Sequence, residues 1–222
     1  MDGQSASADS RRLIELGSWE AFMHGVFAIA VTLLVLDIQV PDATSIDSGP
    51  ALIAALGAQV PRFAAYVLGF LFLGEYWISV TRTMRMMRGV DHWFLVLGLV
   101  FLMVAASVPF ATALLAEYIG QGNGQEQVAL VVFVSWQLVL AIQANIMIQY
   151  VARGGRLLKP TVPASGLRIW LRIVALGPVI WVVALLAALL VSSTVTLVLM
   201  AVLAIIFLLD VPATERSHRV PA

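Results

Sequence analysis

Two ionisable side chains and one hydroxyl are the candidates for chemistry among the polar groups inside the long apolar segments of this chain. His24 and Glu75 each stand within an apolar run, and Thr32 carries the single hydroxyl between His24 and Asp37. Ionisable groups in membrane-spanning segments are costly, and for that reason they are candidates for function. With a rise of about 1.5 Å per residue, His24 and Glu75 reach similar heights if their helices are antiparallel. We therefore predict a hydrogen bond or ion pair between His24 and Glu75, which either joins the two helices or takes part in gating.

The remaining reactive side chains do not form a catalytic pattern. The three histidines, His24, His92 and His218, are far apart in sequence, and the chain has no cysteine. Metal and nucleophilic chemistry need ligands or a nucleophile and base at matched spacing, and the sequence offers neither arrangement. The sequence therefore predicts no catalytic site, no metal site and no cofactor, and it favours a class of protein other than an enzyme.

The composition is that of a protein embedded in lipid. Of the 222 residues, 61% are hydrophobic and 12% are charged, whereas soluble domains have about 45–50% and about 25% of these residues. Such a chain has too little polar surface to cover a water-soluble globule. We therefore predict an all-α polytopic membrane protein with the lipid bilayer as a partner. The basic residues are few and scattered over loops, which excludes a nucleic-acid partner.

Six apolar runs are long enough to span a bilayer, which takes about 20 residues. They cover residues 19–40, 61–81, 93–118, 127–152, 167–191 and 194–209. The sequence thus predicts a six-span transmembrane domain over residues 19–210. Residues 1–18 are predicted to form a cytoplasmic N-terminal segment, and residues 211–222 a cytoplasmic tail.

The basic residues predict the orientation of these spans. In the six-span topology, 12 of the 13 lysines and arginines fall on one side. Loops rich in lysine and arginine stay in the cytoplasm, so we expect both termini there. Arg62 is the exception, at the outer end of the second span, where a long side chain can reach the headgroups. We expect a multi-pass protein of the cytoplasmic membrane.

Helical spacing places several apolar side chains of the first span on one stripe, with Thr32 beside them. The stripe consists of Phe22, Gly25, Ile29, Leu33 and Leu36. Two interpretations are open at this point. The stripe is either a surface that packs against other helices, or the face that an oligomer turns toward a shared axis. In the second case apolar rings would narrow a pore, and Thr32 would supply a ring of hydroxyls.

Three segments resemble the transmembrane protein 175 family of potassium channels, in its bacterial single-repeat branch. Residues 22–38 read F-x-x-G-V-F-A-I-A-V-T-L-L-V-L-D-I and are similar to the first-span signature of the family. Two further segments, "FLFLGEYW" and "FLMVAASVPFATALLAEY", resemble the second-span and third-span segments of the family. The resemblance extends over residues 18–118, and its motif packing residues are Phe22, Trp77, Pro109 and Phe110.

The resemblance implies a potassium-selective, leak-type channel in which the first span lines a central pore. The subunits would form a homotetramer, and potassium would be the permeant ion rather than a cofactor. In such a family member, Ile29, Leu33 and Leu36 would form the hydrophobic constriction. Thr32 would contribute to selectivity, because potassium loses its water more easily than sodium does.

The chain also departs from the family pattern around the inner half of the first span. His24 stands where the family has an aspartate, and Val80 and Thr81 stand where it has paired histidines. Gly98 occupies the position of a third-span asparagine. A His24–Glu75 pair would then substitute for a lost polar network. Two alternatives remain: a proton-coupled transporter of ions or small solutes that uses Glu75 and His24, and a non-conducting member that keeps the scaffold.

Overall fold

A computed structural model describes residues 16–44, 46–122, 124–153 and 155–216, with side chains described as far as Ile206. This part of the chain folds into helices, and the predicted all-α class is confirmed. Their order is α1 (Leu16–Leu33), a 3₁₀ turn (Leu34–Asp37), α2 (Gly49–Gly57), α3 (Val60–Arg85), α4 (His92–Ala106), α5 (Val108–Tyr118), α6 (Gly124–Ala152), α7 (Ala164–Leu190) and α8 (Ser193–Arg216). Most of the predicted N-terminal segment (residues 1–15) and the end of the predicted tail (residues 217–222) lie outside the described residues.

Each of the six predicted apolar runs overlaps a helix in the described part of the chain. Five segments are long and apolar enough to cross a membrane: Leu16–Asp37, Val60–Arg85, His92–Tyr118, Gly124–Ala152 and Ala164–Leu190. The sixth helix, α8, is also apolar over Ser193–Ile206, the part whose side chains are described. The chain is therefore a polytopic helical membrane protein, as its composition predicted.

The third span is two helices rather than one uninterrupted helix. The break lies at Ser107, two residues before Pro109. Proline lacks an N–H group, and its ring clashes with the carbonyl four residues earlier, so a regular helix cannot run through it undisturbed. The Ser107 hydroxyl donates to the Val104 carbonyl at 2.8 Å and accepts from the Trp136 indole at 3.0 Å. Polar groups at the break are thus paired within the bundle, as a membrane interior requires.

Loops that the topology places on one side do meet in space. The loop between α3 and α4 touches the loop between α6 and α7 through a backbone bridge between Met87 and Leu158. The Arg88 side chain donates to the Arg156 carbonyl at 2.6 Å. We call this end of the bundle, which carries residues 82–91 and 153–163, the basic end. At the opposite end, Arg62 forms an ion pair with Glu117 at 2.6 Å.

The longest helix, α6, holds the bundle together, and α1 lies on one side of it. Helix α6 packs against α3, α4, α5 and α7, whereas α1 packs against α3, α4 and α5. The core near α6 is aromatic: the Phe72 ring lies 4.9 Å from Trp181 and 6.4 Å from Phe133, measured between ring centroids. This arrangement leaves the side of α1 away from the bundle uncovered.

The start of α1 is held in place by close packing of the Trp19 side chain against Gly98. Trp19 is 7% exposed, and a Cβ atom at Gly98 would overlap its indole ring. The family's asparagine would not fit at position 98 beside this tryptophan. The Trp19 indole therefore occupies the space that a side chain at position 98 would need.

Replacing Gly98 by alanine should destabilise the fold by about 1–3 kcal/mol, because the added methyl overpacks the contact with Trp19. The free energy of unfolding in mixed detergent micelles measures this loss. Gly25→Ala is the matched control, since a Cβ atom there meets nothing within 4 Å. Both variants replace a helical glycine by alanine, so the gain in helix propensity is the same in each and cancels when their stabilities are compared. Equal stability of the two variants would contradict the prediction.

Candidate pore-lining face of the first helix

Helix α1 and the turn that follows it are buried on one face and exposed on the other. The buried residues recur at steps of three and four: Trp19, Met23, Phe27, Ala30 and Leu34. The exposed face carries Phe22, Ile29, Leu33 and Leu36, with 51%, 63%, 41% and 71% of their surface uncovered. Gly25 and Thr32 are exposed on the same face. The uncovered face thus coincides with the stripe read from the sequence.

Contacts with α3 and α4 fix which face of α1 is turned away. Phe27 packs on Phe101 with ring centroids 6.0 Å apart, and Trp19 meets Phe94 edge-on at 6.4 Å. Further along, Leu34 lies against Gly69, where a Cβ atom would stand 3.4 Å from the leucine methyl. Rotating α1 would break these contacts, so the exposed stripe has a defined direction.

Side-chain size changes along the exposed face. Gly25 and Ala28 lie in the half nearer the basic end. Ile29, Leu33 and Leu36 are branched and lie in the half toward the opposite end. Beyond Phe22, the face is therefore smallest beside Gly25 and Ala28 and bulkier beside the branched side chains.

The end of the first span is wound more tightly than the rest of α1. The helix changes to a 3₁₀ turn over Leu34–Asp37, with Leu33 at its start. Side chains three residues apart eclipse one another in 3₁₀ geometry, whereas in an α-helix they differ by about 60°. The turn therefore brings Leu36 closer into line with Leu33. The sequence pattern did not predict this turn.

The Thr32 hydroxyl is placed to act as an acceptor. It donates its proton to the Ile29 carbonyl of its own helix at 2.8 Å, and the residue is exposed. A hydroxyl that has donated its proton still has oxygen lone pairs available. The Thr32 oxygen is therefore still able to accept a hydrogen bond on the exposed face.

The described contacts do not join His24 to Glu75. The His24 ring lies 5.9 Å from Trp77 in an edge-on contact, and its Nε2 atom is buried without a hydrogen-bond partner. Trp77 follows Glu75 by two residues, which is about 200° around a helix. Glu75 and Trp77 therefore leave α3 in nearly opposite directions. The predicted direct bond is not formed within this single chain.

The four motif residues occupy different surroundings. Phe22, Trp77 and Phe110 are 51%, 40% and 60% exposed, so they are only partly packed within one chain. Phe110 borders Trp136 at 6.0 Å between ring centroids. Pro109 is half-buried and lies in the first turn of α5. Pro109 therefore marks the point where α4 has ended and α5 begins.

One carboxylate at the basic end ties three parts of the chain together. Asp91 caps α4 by accepting from the Phe94 amide at 2.9 Å, and it also accepts from the Tyr150 hydroxyl at 2.8 Å. Arg156 forms an ion pair with the same carboxylate. Burial raises the pKa of Asp91, but these hydrogen bonds and the charge of Arg156 outweigh it, and the pKa lies below its ordinary value.

The sequence interpretation overlooked this site, which we call the Asp91 cluster. An aspartate directly before an apolar helix is a signal for a helix cap. Tyr150 and Arg156 come from 59 and 65 residues later, and no local signal predicts such distant partners. The cluster holds the start of α4, on which Trp19 of α1 packs.

These features define a helical membrane protein whose first spanning helix leaves uncovered an apolar face that carries one hydroxyl. Residues 19–109 match the family model described as "Endosomal/lysosomal potassium channel TMEM175". A potassium channel of Streptomyces collinus is 41% identical over 154 residues, which are 69% of this chain and 73% of that protein. A potassium channel of Chamaesiphon minutus is 37% identical over 144 residues, 65% of this chain and 70% of the relative.

The fold agrees with these matches. The crystal structure of a lysosomal potassium-selective channel TMEM175 homolog from Chamaesiphon minutus aligns with a TM-score of 0.77 and 31% sequence identity. The alignment covers 88% of this chain and 97% of that one. The chain belongs to the TMEM175 family. The family and these relatives are ion channels, so the prediction that the protein is not an enzyme is confirmed.

Proposed function

We propose that the chain is one subunit of a potassium channel in which four copies place α1 around a central pore. The observation that carries the proposal is the one-sided burial of α1, which turns Ile29, Leu33 and Leu36 outward. An apolar face with one hydroxyl in line suits a narrow passage. The relatives named as potassium channels support this function over transport of another solute.

In this proposal the branched side chains form the constriction. Rings of apolar side chains exclude water and act as gates at such positions. An ion crossing them loses part of its hydration shell, and potassium loses it more easily than sodium does. Thr32 lies between Ile29 and Leu33 along the helix, where its oxygen would replace some of the lost water. This combination favours potassium.

The rest of the topology follows from the same proposal. Residues 19–210 form the channel domain, with the basic end in the cytoplasm together with both termini. The protein would lie in the cytoplasmic membrane, with the wide part of the passage facing the cell interior. The polar residues His24 and Glu75 lie outside the proposed constriction.

Current measurements on the purified chain in liposomes test the proposal. Under opposed potassium and sodium gradients, a potassium channel gives a passive current that reverses near the potassium equilibrium potential. Varying the pH on one side separates the transporter alternative, because proton coupling would shift the reversal potential with pH. Absence of current across a range of voltages and lipids, from protein of tetrameric mass, would favour a non-conducting member.

Thr32→Val should lower the preference for potassium over sodium about fivefold while leaving a potassium current. The change keeps the shape and removes the oxygen, and loss of about 1 kcal/mol of ion stabilisation corresponds to this factor. The permeability ratio from reversal potentials measures it. Thr32→Ser should restore selectivity, and Thr161→Val, at an exposed loop threonine, should have no effect. Unaltered selectivity in Thr32→Val would remove Thr32 from the proposed pathway.

A further inference from the structure

The first half of α7 is held only loosely by its own chain. The buried residues of α7 are Trp181, Ala184 and Ala188, all in its second half. Residues 164–180 are exposed or half-buried without exception. Pro178 lies at the junction and breaks the helical hydrogen bonding there. The first half is therefore able to shift against the second unless something else fixes it.

The exposed face of this half-helix combines two arginines with an apolar stripe. Arg168 and Arg172 are both exposed and stand four residues apart, which places them on one face. The exposed surface of the same half-helix carries apolar side chains that are 51–59% exposed, namely Ile169, Ile173, Leu176 and Val179. A stripe of this kind is suited to lipid tails, and the arginines interrupt it only near the basic end.

The depth of the two arginines matches the level of lipid phosphates. Helix α7 has 27 residues, or about 40 Å, whereas the hydrocarbon core is about 30 Å thick and takes about 20 residues. Helix α7 ends at Leu190, just before the short connection to α8. Counting about 20 residues back from Leu190 reaches Leu171. Arg172 then lies at the edge of the hydrocarbon, and Arg168 lies one turn further out.

The opposite side of the same two turns contacts α3. The Trp170 indole donates to the Thr83 hydroxyl at 3.2 Å. The Arg82 guanidinium stands over the Trp170 ring, 5.8 Å from its centroid. Trp170 is two residues from both Arg168 and Arg172, so it faces away from them. A ligand that immobilises Arg168 and Arg172 would therefore also stabilise the contact between Trp170 and α3.

We propose that Arg168 and Arg172 bind the phosphate headgroup of an anionic phospholipid, which holds the first half of α7 against α3. Guanidinium groups bind phosphate through paired hydrogen bonds, and arginines at this depth reach headgroups readily. The charge around the site favours an anionic lipid. Lys159 is a further exposed cation at the basic end, and the Asp91 carboxylate at that end is already paired with Arg156.

A consequence for conduction rests on the proposed function. Helix α3 joins the two sites, since Thr83 meets Trp170 on α7 and Trp77 meets His24 on α1. Bound lipid would stabilise α3, and with it the position of the pore helix. Potassium current should then be larger in membranes with phosphatidylglycerol than in phosphatidylcholine alone.

Lipid binding is measured first without any current. The full chain in detergent is titrated with phosphatidylglycerol or phosphatidylcholine of the same acyl chains, and the midpoint of thermal unfolding and the number of retained lipids are recorded. Phosphatidylglycerol should raise the midpoint, and Arg168→Gln with Arg172→Gln should weaken its apparent affinity about 30-fold. Arg85→Gln with Arg153→Gln removes two exposed cations from the same end and should change affinity less than threefold.

Each of the following results would overturn the proposal. Equal losses in the two double variants would mean diffuse attraction to the basic end, and equal effects of both lipids would exclude a charge-selective site. A change of oligomeric mass in the Arg168, Arg172 variant would assign this face to a second copy of the chain. If that variant does not fold, Arg168→Lys with Arg172→Lys keeps the charge without the planar fork. It should bind phosphatidylglycerol more weakly than the wild type, and equal binding would refute the site.

Discussion

Replacing Leu33 by alanine in every subunit should raise the single-channel conductance roughly tenfold or more and reduce the preference for potassium over sodium. Leu33 is 41% exposed on the uncovered face of α1, and in a tetramer the change would remove four branched side chains from one level of the pore. A wider and wetter constriction lowers the cost of dehydration, and each 1.4 kcal/mol taken from the barrier gives a factor of ten. Single-channel recording in lipid bilayers measures both quantities.

A leucine outside the proposed pore provides the control for this prediction. Leu186 is 50% exposed on α7, and Leu186→Ala should leave conductance and selectivity unchanged. Ile29→Ala should act in the same direction as Leu33→Ala. If both pore variants conduct like the wild type, then α1 does not form the constriction.

Asp91→Ala should cost about 3 kcal/mol of stability, because one carboxylate serves three partners. Loss of a helix cap costs about 1 kcal/mol, and loss of a hydrogen bond to a charged group costs about 2 kcal/mol. The unfolding free energy in mixed micelles gives the effect. Asp47 is an exposed carboxylate in the loop before α2, and Asp47→Ala should stay within about 0.5 kcal/mol of the wild type. Similar losses in both variants would contradict a special role for the Asp91 cluster.

The same cluster predicts a pH dependence with a definite sign. The pKa of Asp91 in the folded chain lies below its ordinary value of 3.8. A carboxyl group with a lowered pKa stabilises the fold fully above the unfolded pKa, and this stabilisation is lost as the pH falls through the folded pKa. The stability difference between wild type and Asp91→Ala should therefore be constant above about pH 5 and shrink below about pH 4.

Much of the fold could be predicted because a membrane imposes simple local rules. Apolar run length predicts the spans, and the distribution of basic residues predicts their alternation. The spacing of Phe22, Ile29 and Leu33 also places them on one stripe of α1, although the spacing alone does not determine whether that stripe is buried or exposed. None of these inferences needs knowledge of which distant residues meet.

The features that could not be predicted depend on such distant contacts. The heights of His24 and Glu75 follow from counting residues, but the rotation of α3 relative to α1 is set by packing, and it turns Trp77 toward His24 instead. The Asp91 cluster likewise unites residues from three separate stretches of chain.

The break at Ser107 is a local effect of Pro109, and the proline would have allowed its prediction.

The close fit of Trp19 against Gly98 has a consequence for how the sequence can evolve. The two positions share one volume, so their side-chain sizes must vary inversely across related channels. A larger residue at position 98 becomes acceptable only after position 19 has become smaller. A polar side chain grafted at position 98 from another lineage would therefore need a compensating change at Trp19, and the order of the two substitutions would determine which intermediates survive selection.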